Sequence, residues 1–228
     1  YPSEYSKIKI GRDLCQLHTG SLVNLGYPRC DQYFNKRYIE ECYKNKNTMK
    51  TICNSYRDCG KIILYTPTWR QYEYSFPFHE LKSFNWLRFD EYLLTENIYF
   101  IFTIHSAKLL SNFFPPNLKR IKYVDHGDYP FYDVNEFMME VDILINDYST
   151  TSTDYSLLSR PQIFYMPDYD QFKKVNGFVE NYREVMPGRE IFTFDELLEV
   201  IDYCLKNPER YVHKYKKKRE LLLEHYNE

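Results

Sequence analysis

Between Ile143 and Tyr165 the chain reads ILINDYSTTSTDYSLLSRPQIFY. An apolar run ends at Asn146 and gives way to Asp147, and Ser149, Thr150, Thr151, Ser152 and Thr153 then follow without a break. Hydroxyls at the exit of a buried run can donate to a phosphate. The first turn of a helix adds backbone N–H donors and a partial positive charge, so such a loop binds phosphate without glycine or lysine. Plain N-capping by Ser149 or Thr150 accounts for the same residues with no ligand. Asp147 brings negative charge, so its expected work is to order the loop or to accept hydroxyl hydrogen bonds. Asp154, one turn further on, can brace the same loop.

Other reactive side chains fall at similar points. His105 follows the seven apolar residues IYFIFTI (98–104). An imidazolium beside a phosphate can neutralise or protonate a departing phosphoryl oxygen, although a lone histidine is often structural. Arg70 and Thr68 lie in TPTWR (66–70), after another apolar run. A guanidinium offers a bidentate fork to phosphate, and a solvated loop arginine is the plain alternative. Trp69 either packs that loop or shields a ligand. Arg160 precedes Pro161 at a helix-to-strand turn, the other end of a sheet, and reads as structural. His126-Gly127-Asp128 supplies too few ligands to indicate a metal site.

The elements that must position these residues are legible as runs. KIILYT (61–66), IYFIFTI (98–104), RIKYV (120–124), DILIN (142–146) and QIFYM (162–166) read as strands. Helical patterns fill 79–97, 107–114, 134–141 and 150–159 between them. Thr193 and Glu196 form a capping box for an amphipathic helix over 194–206, and Pro208 starts a last, basic helix to about residue 226. Residues 1–28 read as irregular, with Asp31 as N-cap of a helix to about 46 and a second short helix over 48–59. Strands without alternation, separated by helices, predict an α/β, doubly wound, Rossmann-like parallel sheet. In such sheets ligands bind outside the carboxyl ends of the strands. TPTWR, His105, DHGD (125–128), NDYST (146–150) and PDYD (167–170) all lie there.

Composition sets the bounds. The 228 residues are 43% hydrophobic and 18% aromatic, enough for a substantial core. The net charge of −2 argues against nucleic-acid binding. With seven glycines and no Gly-rich phosphate motif, any phosphate grip must use other groups. The six cysteines form no C-x-x-C and read as free thiols in a reducing compartment. No apolar run reaches the roughly 18 residues of a membrane span. HKYKKKR (213–219) reads as a solvated helix face, with contact to anionic lipid as the alternative. The start, YPSEYSKIKIGRD, lacks Met and reads as the middle of something longer.

Taken in order, GYPRCD (26–31), ILYTPTWR (63–70), the strand ending in His105, DILINDYST…DYSLLSRPQIFYMPD (142–168) and NGFVENYREVMPG (176–188) resemble the CDP-glycerol glycerophosphotransferase family of teichoic-acid and capsule enzymes. The resemblance implies a GT-B architecture, with residues 61–228 as the CDP-donor domain and 1–60 as the link to an acceptor domain. It implies a CDP-activated polyol as donor, a polyol-phosphate or glycan acceptor, no cofactor and no metal. It places His105 at the donor diphosphate as the catalytic residue. Arg70, Thr68, Asp147, Ser149, Thr150 and Asp154 then contact or frame the substrate. Ser106 stands where the family usually has Pro, and Asn176 where it has the Arg of RGFY. Only His18 precedes Gly26, outside the family's WHGT-like motif, so the general base is expected upstream of Tyr1. The expected setting is cytoplasmic, at the inner face of the membrane. A nucleotide-sugar glycosyltransferase and a non-catalytic nucleotide-binding module are the alternatives.

Overall fold

The computed structural model describes residues 2–35, 60–68, 80–104, 117–125 and 134–226, with 37, 70 and 78 besides. Its six strands are β1 (Lys61–Thr66), β2 (Ile98–Ile104), β3 (Ile121–Asp125), β4 (Ile143–Asn146), β5 (Gln162–Phe164) and β6 (Gly188–Glu190). They form one sheet in the order β3-β2-β1-β4-β5-β6, and every neighbouring pair is parallel. The chain builds outward from β1 to β3, then returns to lay β4 on the other side of β1. The strand order therefore reverses between β1 and β4, and their last residues, Thr66 and Asn146, are direct partners. A crevice at the carboxyl end of such a switch point is where open α/β sheets take ligands.

The apolar runs are continuous because both faces of the sheet are covered. Ile63, Tyr65, Phe100, Phe102, Ile143, Ile145 and Ile163 face one core. There they meet Phe89 and Leu93 of α2 (Trp86–Thr95) and Phe194, Leu197 and Ile201 of α7 (Phe194–Lys206). The alternate residues Ile62, Leu64, Ile101 and Leu144 face a second core. That core holds Phe137 and Met138 of α3 (Val134–Met138) and Tyr155 of α4 (Thr151–Ser156). A third cluster, Phe164, Met166, Tyr169 and Met186, lies under α5 (Tyr169–Val175) and α6 (Tyr182–Val185).

Several element boundaries differ from the sequence expectation, each for a local reason. Residues 1–28 are not all irregular: α1 (Glu4–Ser6) runs into a π-helical stretch, Lys7–Leu14. Ser3 and Ser6 donate to the His225 carbonyl, and Tyr5 stacks on the His225 ring at 3.8 Å, so this segment sits on the end of the last helix. Asp31 does not cap a helix; Pro28–Tyr33 is a 3-10 turn with Pro28 in its first position, where the missing N–H costs nothing. Residues 38–59, 107–114 and His126–Asp128's motif lie outside the described residues. The helix expected from 79 begins at Trp86, because Ser83 takes φ +66° and Asn85 accepts from the Arg88 N–H as a cap. The strand expected to 166 ends at Phe164. The last helix divides at Tyr215 into α8 (Pro208–Lys214) and α9 (Lys216–Tyr226). The capping box of α7 is as expected, with Thr193 Oγ1 and Glu196 Oε2 exchanging bonds with each other's backbone N–H. Arg160 is structural, donating to the Met139 and Val141 carbonyls at 2.8 and 2.6 Å.

Candidate functional site

The loops leaving β1 and β4 meet at the switch point, and buried Asp147 ties them together. Its carboxylate accepts from the Thr68 backbone N–H at 2.9 and 3.0 Å and from Thr68 Oγ1 at 2.5 Å. It also accepts from the Tyr148 N–H and, at 2.8 Å, from Arg70 Nη1. Arg70 turns its other edge to Asp168, just past β5, with Nε–Oδ2 at 2.7 Å and Nη2–Oδ1 at 3.0 Å. Tyr148 Oη adds a third donor to Asp168 at 3.0 Å. The guanidinium lies 4.8 Å from the Tyr148 ring centre and 5.1 Å from that of Phe172. Burial opposes the charge on Arg70, but the Asp147 and Asp168 carboxylates outweigh it and raise the guanidinium pKa further. Burial, reinforced by Asp168, likewise pushes the Tyr148 phenol up and keeps it a neutral donor.

This geometry shows what four of the predicted residues hold. Arg70 is at the predicted strand exit, where its fork holds two carboxylates and the Thr68 carbonyl. Thr68 gives both its N–H and its hydroxyl proton to Asp147. Asp147 is a loop organiser, and Arg70 balances the negative charge that made it awkward beside phosphate. Asp154, expected to brace the loop, takes a bidentate pair from Arg29, at 2.7 and 3.1 Å.

Ser149 and Thr150 keep donors to offer. Fully buried Asn146 folds its side chain over the turn, accepting from the Asp147 N–H and donating to the Ser149 carbonyl and Thr151 Oγ1. Thr151 Oγ1 gives its single proton to Ser149 Oγ at 3.0 Å, so Thr66 Oγ1, 3.1 Å away, must donate to Thr151. Ser149 Oγ also accepts from the Thr151 N–H at 3.3 Å. Both Ser149 lone pairs are thereby engaged and its own proton is left over, so this hydroxyl can act only as a donor. The exposed Thr150 side chain makes no capping bond. Among the described residues, no acceptor meets the backbone N–H groups of Ser149 or Thr150. The helix that follows has only six residues, so its dipole adds little, and the loop's own donors carry the site. N-capping, the simpler explanation, holds only in part: Ser149 reaches the Thr151 N–H, and Thr150 caps nothing.

His105 lies outside the described residues, directly after β2, the neighbour of β1. Sequence reasoning gave no individual part to Asp168, Tyr148 or Asn146, and took Thr151 only as one of a run of hydroxyls. Asp168 stood in the strand-end segment PDYD, which was the only signal for it.

The comparisons with known proteins agree with this architecture. The chain is 30% identical over 183 residues to the teichoic acid glycerol-phosphate primase of Bacillus subtilis, covering 79% of this chain and 42% of that one. It is 30% identical over 194 residues to the teichoic acid poly(glycerol phosphate) polymerase of Staphylococcus epidermidis, covering 82% of this chain and 25% of the relative. The wall teichoic acid polymerase TagF superposes on it with a TM-score of 0.70 and 26% identity, over 99% of this chain and 52% of that structure. A UDP-forming trehalose-phosphate synthase, at TM-score 0.53 and 9% identity, shares the fold alone. The chain thus spans about half the length, or less, of these proteins. A family model described as CDP-glycerol:poly(glycerophosphate) glycerophosphotransferase matches residues 2–228, and the chain belongs to that family.

Proposed function

We propose that this chain supplies the donor site for transfer of a polyol phosphate, glycerol phosphate first, from a CDP-activated donor to an acceptor hydroxyl in teichoic-acid-type polymer synthesis. Residues 61–228 are the donor domain in this reading, and residues 1–60 the link to an acceptor domain. One observation carries it: a donor-only Ser149 hydroxyl and two N–H groups without acceptors stand together at the β1/β4 switch point. A diphosphate is rich in acceptors and has no donors when ionised, so it complements this set. A TagF structure soaked with CDPG, at 24% identity, is among the matching folds.

In this reading Ser149 and Thr150 hold the diphosphate, and His105 neutralises or protonates the departing phosphoryl oxygen. The acceptor oxygen forms a bond to the β-phosphorus as the bond to the CMP oxygen breaks, and CMP leaves. The acceptor proton passes to a general base that is none of the residues named here. Positioning and charge stabilisation dominate such a step. Arg70, Asp147 and Asp168 contribute by fixing the loops. The exposed basic residues His213, Lys214, Lys216 and Lys217 fit peripheral contact with an anionic membrane at its cytoplasmic face.

Calorimetric titration with CDP-glycerol tests the reading. Binding is expected, with Ser149→Ala weakening it about tenfold, the value of one charge-assisted hydrogen bond. No binding of CDP-glycerol or CDP-ribitol at millimolar concentration overturns it.

A further inference from the structure

The GYPRCD motif has no part in the site described so far, yet it is fastened to the back of it. We infer that Arg29 is a positioning residue for the Ser149–Thr150 loop and acts through Asp154; this rests on the donor-site reading above. Gly26, at φ +71°, turns the chain, and Pro28 opens the 3-10 turn that presents Arg29. The guanidinium lies 3.8 Å from the Tyr27 ring centre. Gln32 Nε2 donates to the Arg29 carbonyl at 2.7 Å, and Tyr33 Oη donates to Asn135 on α3 at 2.9 Å. The segment is therefore docked on the domain, and Arg29 is aimed.

Its target is almost fully buried, with the Asp154 side chain 4% exposed. Arg29 Nε and Nη2 meet the two carboxylate oxygens as a parallel fork, and Cys30 Sγ approaches Oδ1 at 3.4 Å. Asp154 is in turn bonded to the anion loop, its N–H donating to the Thr150 carbonyl at 3.3 Å. The Thr153 N–H shares that carbonyl, and the Ser152 N–H takes the Ser149 carbonyl. A helix of six residues cannot hold itself. Gln162 clamps one flank, accepting from Ser152 Oγ and donating to Ser156 Oγ, both at 2.8 Å. Arg29 clamps the other. Without it the buried carboxylate loses its cation and both fork bonds, and swings toward water or shifts the turn that carries it. Either change loosens the turn whose carbonyls anchor Ser149 and Thr150.

The test combines amide hydrogen exchange with CDP-glycerol titration on the whole chain, comparing wild type, Arg29→Gln, Arg29→Lys and Ser149→Ala. For Arg29→Gln, exchange at Ser152, Thr153 and Asp154 should rise about tenfold or more, with Ile145 and Ile163 unchanged, and CDP-glycerol affinity should fall about tenfold. Arg29→Lys keeps the charge but not the fork, so it should restore part of both. Ser149→Ala should weaken binding without speeding exchange. Unchanged exchange in Arg29→Gln overturns the inference, as does affinity within twofold of wild type. If Arg29→Gln unfolds the sheet, Arg29→Lys decides: exchange at the three amides equal to wild type overturns the claim for the fork. If the wild type takes up no CDP-glycerol, the donor-site reading falls, while the exchange data still decide whether Arg29 holds the loop.

Discussion

Replacing Asp168 by Asn probes the carboxylate clamp behind the site. Asp168 accepts from Arg70 Nε at 2.7 Å, from Arg70 Nη2 at 3.0 Å and from Tyr148 Oη at 3.0 Å. The amide is isosteric but has one acceptor oxygen, and its NH2 must face a guanidinium donor. At least one charge-assisted bond is lost, worth about 1.5–3 kcal/mol. Breaking a buried pair outright costs about 3–5 kcal/mol. Arg70 still keeps Asp147, 2.8 Å away, so the net loss should fall near 2–3 kcal/mol. In urea, with a slope of about 2–3 kcal/mol per molar, the midpoint should drop by about 1 M. Arg70→Met should cost more, because two buried carboxylates then share one place without a cation. A midpoint shift below about 0.3 M for Asp168→Asn would refute the clamp, and so would an Arg70→Met variant no less stable than Asp168→Asn.

Burial, reinforced by Asp154, pushes the Cys30 thiol up to about 12. Raising a thiol pKa keeps it protonated, so at pH 8 Cys30 should react with iodoacetamide about a thousandfold more slowly than a free thiol of pKa ~8.5, read as modification of its peptide by mass spectrometry. A rate matching that of exposed Cys15 would contradict this. A Cβ added at Gly188 would sit 2.0 Å from the Gln162 carbonyl oxygen across the β5–β6 pair. Gly188→Ala should therefore cost about 3 kcal/mol and expose the β6 amides first in hydrogen exchange; neutrality in both would be contrary. Thr193→Ala removes one half of the α7 capping box and should lower stability by about 1 kcal/mol by urea titration, with no change in CDP-glycerol affinity.

The sheet was legible because its strands are buried on both faces and so read as unbroken apolar runs, as in KIILYT and IYFIFTI. The capping box was legible because its partners are three residues apart. Helix starts were less so: apolar spacing before Trp86 mimicked a helix that Ser83 and Asn85 do not allow. The strand-end rule pointed to the corner where the β1 and β4 loops meet, but not to the partner of each side chain there. Arg70 and Asp168 are 98 positions apart and Arg29 and Asp154 are 125 apart, so their pairing leaves no local pattern. A basic side chain at a strand exit looks the same in sequence whether it meets a ligand or a carboxylate. What distinguishes Ser149 is the count of bonds it already accepts, and only coordinates supply that count.

The most direct test of the account is a crystal structure of the chain soaked with CDP-glycerol. The account predicts a phosphate oxygen about 3 Å from Ser149 Oγ and from the Thr150 backbone N–H, with Arg70 still held by Asp147 and Asp168. A diphosphate bound away from this loop, or bound by Arg70 released from its carboxylates, would contradict it.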